Sequence, residues 1–274
     1  MLYRDMDRAQ LDDAYNNGKA VANRDAIVAD WAARSVRVRR ARSGRFDLAY
    51  GAAPRERLDL FLAADPMAPT LAFIHGGYWQ MNDKEGFAFL VEGPLAHGIN
   101  VALVEYTLAP DARMDRIVGE IRRAALWLAE HLGEFGADPA RLHVAGHSAG
   151  GHLTATAMTL GAVKGGIAIS GLFDLEPIRL NYLNVRLGMD AAEARRNSPL
   201  YHLPPMAGPL VVAYGTAELP ELCRQSVEYA QAWVERGLPG HVLPIDGADH
   251  FTILEHLADP RGRLTLALAD MARG

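Results

Sequence analysis

A chain of 274 residues that is half hydrophobic and 22% charged can bury a large core, which excludes a disordered or low-complexity polymer. Its 28 basic and 33 acidic residues leave a net charge of −5, so no basic footprint suits nucleic acid. The single cysteine, Cys223, excludes an internal disulfide and fits a reducing, cytoplasmic compartment.

The opening residues 1–8 alternate charges where a signal peptide would be apolar, and no apolar run nears the roughly 18 residues that span a bilayer. A protein without membrane attachment is expected. Residues 1–40 read as a largely helical segment, with Leu11 and Tyr15, then Ile27 and Trp31, each four apart, and Gly18 as an interruption. The arginine-rich run 34–45 reads as a solvated face. After Gly44 the texture turns to strands, at 46–50, 58–62, 70–74, 100–105, 141–145, 164–170 and 209–214. Amphipathic stretches at 114–131, 149–160 and 221–236 lie between them; the first carries Ile117, Ile121, Ala125 and Leu128 on one stripe. Strands alternating with helices imply an α/β architecture, a mostly parallel central sheet with helices on both faces. Residues 174–205 are too long for an ordinary connection and are expected to form a small cap within a single domain spanning 1–274.

Residues 146–150 read Gly-His-Ser-Ala-Gly, after the strand at 141–145 and before a helical stretch. A serine nucleophile needs its hydroxyl raised on a sharp strand-to-helix turn, and the flanking glycines leave room for that crowded backbone. Six serines and 26 glycines predict roughly 0.05 such matches by chance. The alternative, a Ser148 that merely caps a helix, does not explain the strand–turn–helix order. His75-Gly76-Gly77-Tyr78-Trp79 follows another apolar strand. Acyl transfer needs fixed donors where the carbonyl oxygen becomes negative, so the amides of Gly77, Tyr78 and Ala149 are expected to form an oxyanion hole. The competing reading of this loop is a glycine turn flanked by core aromatics.

A fold of this kind, the α/β-hydrolase fold, orders its triad serine, acid, histidine. His250 stands on a turn after the apolar stretch 242–245, whereas His256 falls in the apolar segment 251–257 and reads as a helix residue. The acid should follow the strand at 209–214, where Glu218 and Glu221 compete. Glu218 is preferred, because Glu221 stands at a helix start, where a carboxylate complements the dipole without catalytic duty. Asp246 and Asp249 are outsiders. His147 and His152 read as packing or hydrogen-bonding residues. No metal-ligand spacing, dinucleotide fingerprint or phosphate loop is present, so no cofactor and no metal are expected. Trp79, Tyr78 and Phe173 are candidate aromatic walls for a planar substrate.

With these motifs placed, the chain resembles the α/β-hydrolase type of kynurenine formamidase (arylformamidase) and its carboxylesterase relatives. The resemblance rests on Tyr15-Asn-Asn, His75-Gly-Gly-Tyr-Trp-Gln80, Tyr106-Thr-Leu-Ala-Pro110, Gly146-His-Ser-Ala-Gly-Gly-His152, Asn197-Ser-Pro199, the Arg-Gln-Ser ending at Ser226 and Asp249-His-Phe251. It implies a triad of Ser148, an acid and His250, and a small-molecule substrate carrying an aromatic ring beside an ester or N-formyl group. Such relatives usually have aspartate where this chain has Glu218. A general carboxylesterase with little formamidase activity, and a hydrolase fold turned to ligand binding, remain alternatives; a homodimer is left open.

Overall fold

The computed structural model describes residues 1–65 and 67–274. Three helices open the chain, α1 (Arg8–Ala14), α2 (Asn17–Ala20) and α3 (Arg24–Ala41). Asp7 caps α1 through a reciprocal bond with Gln10, and Asn16 caps α2, accepting from the Lys19 amide. Eight strands follow, β1 (Gly44–Ala49), β2 (Arg57–Phe61), β3 (Thr70–Ile74), β4 (Asn100–Val104), β5 (Leu142–His147), β6 (Val163–Ile169), β7 (Leu210–Gly215) and β8 (Gly240–Ile245). They form one sheet in the order β1-β2-β4-β3-β5-β6-β7-β8. β1 and β2 pair antiparallel, as do β2 and β4, and every later pair is parallel.

β3 and β4, buried throughout, read as near-continuous apolar runs because both faces are covered. On β3, Ala72 and Ile74 join one core with Val104, Ile121 and Leu153, while Leu71 and Phe73 join the other with Trp31, Leu103 and Leu268. The covering helices are α4 (Glu92–Ala96), α5 (Met114–His131), α6 (Ala149–Ala157), α10 (Pro220–Glu235), α11 (Glu255–Ala258) and α12 (Arg263–Arg273). Between β6 and β7 lie α7 (Glu176–Leu180), α8 (Asn184–Leu187), α9 (Ala191–Arg196) and a 3-10 turn at Pro199–Tyr201, in the region where the sequence suggested a cap.

β3 is flanked by β4 and β5, the place where the strand order reverses. Crevices of open α/β sheets form at the carboxyl ends of strands at such a point. The loops after β3 and β5 both open there.

Candidate active site

Ser148 occupies the turn between β5 and α6 with φ 58° and ψ −117°, a left-handed backbone that few non-glycine residues adopt. Its amide donates to the Ile169 carbonyl at 2.8 Å, anchoring the turn to β6. The glycines beside it are required by contact. A Cβ on Gly150 would lie 2.0 Å from the Ile74 carbonyl oxygen, and one on Gly146 would lie 2.3 Å from the Gly150 carbonyl oxygen. The serine turn is thus pressed against the end of β3, where the His75-Gly-Gly loop begins.

His250 follows β8, and its Nδ1 lies 2.7 Å from Glu218 Oε2. The other carboxylate oxygen of Glu218 accepts from Ser170 Oγ at 2.6 Å and from the Gly215 amide at 2.7 Å. With Oε1 so occupied, Oε2 is left for the imidazole. Glu221 instead faces Arg224 and accepts from the Tyr15 hydroxyl at 3.1 Å. Burial raises the Glu221 carboxyl, but donation and charge from Arg224 outweigh it and hold it below the ordinary range. Asp249 accepts the amides of Phe251 and Thr252, and Asp246 accepts from Thr216. Of the four acidic candidates, Glu218 alone meets His250.

A second imidazole supports the first. His147 Nε2 donates to the His250 carbonyl at 2.7 Å, and the two rings pack with centroids 4.5 Å apart. Burial, then the neighbouring His250, pushes His147 well below its usual range, so it stays neutral beside that ring. Ser148 Oγ makes no hydrogen bond to His250 in this structure, though both line one cavity of about 590 Å³. Catalytic hydrogen bonds commonly tighten only when substrate is bound.

Gly76, Gly77 and Tyr78 line the same cavity. Among the described residues the amides of Gly77, Tyr78 and Ala149 donate to no protein acceptor. The remaining wall comes from α2, α3, the loop after Tyr78, α8 and the turn after β8, with Asn17, Arg24, Trp31, Phe87, Arg186 and Phe251 among its side chains. A separate cavity of about 430 Å³ lies between β8 and α12 and is lined by none of Ser148, Glu218 or His250.

Two expected wall residues are corrected. Trp79 is fully buried, and its indole Nε1 donates to His152 Nδ1 at 3.2 Å. Positive φ at Tyr78 and Trp79 turns the chain so that the indole enters the core rather than the cavity. Phe173 is also buried, stacked on Tyr229 with centroids 4.1 Å apart. The aromatic faces on the cavity belong to Trp31, Phe87, Phe251, Tyr78 and Tyr182. Sequence reasoning missed Asn17, Arg24 and Arg186; the Tyr15-Asn-Asn motif was the available signal for the first.

The chain matches the BD-FAE family over residues 58–176. It is 33% identical to the kynurenine formamidase of Danio rerio over 240 residues, 82% of this chain and 80% of that protein. The Salmo salar kynurenine formamidase gives 33% over 239 residues, 81% of this chain and 80% of that protein. A solved structure from Silicibacter sp. TM1040 superposes with a TM-score of 0.85 at 30% identity, covering 94% of this chain and 98% of that one. A serine turn, a histidine bonded to a buried glutamate and a glycine loop, with Ser148, His250 and Gly76 to Tyr78 on one cavity, and identity at this level over four-fifths of the chain make the protein a hydrolase: the chain belongs to the kynurenine formamidase family of α/β-hydrolases.

Proposed function

We propose that the chain hydrolyses an aryl formamide of the N-formylkynurenine type through a formyl-enzyme on Ser148. The observation that carries this reading is the 2.7 Å contact of Glu218 with His250 beside Ser148 on one aromatic-walled cavity. His250 Nε2 takes the Ser148 proton as Oγ bonds to the formyl carbon. The amides of Gly77, Tyr78 and Ala149 hold the oxygen that becomes negative. The C–N bond then breaks, the arylamine leaves with the proton from His250, and water, deprotonated by the same ring, releases formate. Glu218 holds the imidazole in the right tautomer and balances its charge.

The ring of the leaving amine packs among Trp31, Phe87 and Phe251. Residues 176–201 serve as a cap through Tyr182, Leu183 and Arg186. Arg24 lies over the Phe251 ring at 5.9 Å, and its partner Asp25 is 94% exposed and so weakly held. Arg186 donates only to the Ala109 carbonyl among the described residues. Two guanidinium groups against the single carboxylate of Asp83 favour a substrate with an anionic substituent. Small molecules are the expected partners. The half-buried lone Cys223 suits a reducing, cytoplasmic setting, and no helix among the described residues is long and apolar enough to cross a membrane.

The test compares kcat/KM for an aryl formamide and a short-chain aryl ester. The formamide should be preferred, Ser148→Ala should lose about three or more orders of magnitude on both, and a fluorophosphonate should label Ser148 alone. Turnover of the ester alone would make the protein a carboxylesterase. Ligand binding without turnover by the wild type would remove the hydrolase reading.

A further inference from the structure

The loop after β3 has an unusual mechanical problem. The peptide joining Gly76 and Gly77 has glycine on both sides, so few steric barriers oppose its rotation. A trans peptide points its C=O and the following N–H in opposite directions. A half-turn of this unit would therefore replace an amide donor with a carbonyl oxygen at the cavity.

The Gly76 carbonyl is held by two side chains. His75 Nδ1 lies 2.8 Å from it and Asn82 Nδ2 donates to it at 3.0 Å, so two donors meet its two lone pairs. The other ring nitrogen of His75 lies 3.0 Å from Glu105 Oε1, and the ring stacks on Tyr106 with centroids 4.4 Å apart. Both ring nitrogens thus lie within hydrogen-bonding distance of oxygen atoms, and these contacts fix the orientation of the ring. Burial raises the Glu105 carboxyl, but donation and charge from His75, then the charge of Arg55, leave it below the ordinary range. Asn82 is fixed in turn. It sits at φ 79°, its carbonyl accepts from Arg55 at 2.7 Å, and the same guanidinium reaches Glu105 at 2.6 Å. Asn82 also crowds Gly77, whose Cβ, if present, would lie 2.7 Å from Asn82 Nδ2.

We propose that Asn82 and His75 are positioning residues that pin the Gly76 carbonyl and thereby aim the Gly77 amide at the substrate's carbonyl oxygen. The inference rests on the oxyanion-hole reading above. Asn82 is the better probe, because His75 is buried in the core of the loop. Asn82→Asp keeps the shape but places a negative oxygen against the Gly76 carbonyl. Asn82→Gly suits the positive φ and simply deletes the donor.

Both variants should lose about 10- to 100-fold in kcat with KM within about twofold, Asn82→Asp losing more. The Ki of an aryl trifluoromethyl ketone, which forms a tetrahedral oxyanion on the serine, should rise in proportion to the loss in kcat/KM. The Kd of the arylamine product should stay unchanged. Unaltered kcat in both variants, or parallel losses in kcat, KM, product Kd and thermal midpoint, would overturn the proposal while leaving an active wild type as a formamidase. A wild type with neither turnover nor fluorophosphonate labelling would instead remove the parent reading, and this one with it.

Discussion

At Glu218 both carboxylate oxygens have assigned partners, and that division predicts different outcomes for neighbouring acids. Glu218→Gln keeps the bonds from Ser170 and Gly215 available but presents His250 with the wrong tautomeric partner, so kcat should fall by about 10²- to 10⁴-fold. Glu221→Gln should leave kcat within about threefold and lower stability instead, because Glu221 joins Arg224 to Tyr15. Steady-state kinetics beside thermal melts separate the two; equal kinetic loss in both variants would reassign the acid. The arginines are judged by charge. Arg24→Ala and Arg186→Ala should each raise KM about 3- to 30-fold for a carboxylated aryl formamide and leave a neutral one nearly unchanged. Equal effects on both substrates would count against the anionic substituent.

At the scale of elements, the serine turn and the end of β3 are one packed unit. Gly150→Ala would drive a methyl into the Ile74 carbonyl, which is backbone and cannot swing aside, so a loss of several kcal/mol, on the order of 3–5, is expected in denaturant melts. An unshifted midpoint would mean that the turn and β3 can separate. The same unit explains what the sequence could and could not convey. Strands and long helices announce themselves by local periodicity, and Gly-His-Ser-Ala-Gly marks its own turn, so Ser148, His250 and the loop after β3 were legible. Trp79 was misread because adjacency to a functional loop says nothing of which way a positive φ turns the side chain. Helix α6 ends at Ala157, short of the expected residue 160, since no strong stop signal marks its last turn. The wall formed by Asn17 and Arg24 was opaque for another reason: its contacts lie far away in sequence, as with Gln225 Nε2 donating to Tyr15 across 210 residues.

Across the whole molecule, buried histidines set the response to acid. Burial lowers His143, assisted by Arg141, and His152 from 6.5 to about 4, and His147 falls well below its usual range. Unfolded, each takes up a proton near 6.5; folded, each resists until the pH is far lower. Between those limits the unfolded state binds more protons, so stability falls as pH drops, by about 1.4 kcal/mol per pH unit for each such histidine. Glu105 and Glu221, held below the ordinary carboxylate range, withdraw their contribution only at lower pH still. Urea midpoints should decline steadily from pH 7 to 5, and His143→Gln, at a ring whose Nδ1 has no partner among the described residues, should flatten the slope by about one proton. A midpoint constant over that range would contradict the assignment.

The spacing of Ser148, Glu218 and His250 along the chain has a bearing on biosynthesis. A nascent polypeptide emerging from the ribosome presents Ser148 some hundred residues ahead of His250, and the amino-terminal wall of the cavity waits on partners as late as Glu255. Hydrolytic competence therefore switches on only when β8 and the helices after it have docked. Recovery of turnover during refolding should lag the return of helical signal, and a partly made chain is harmless to the esters and amides around it.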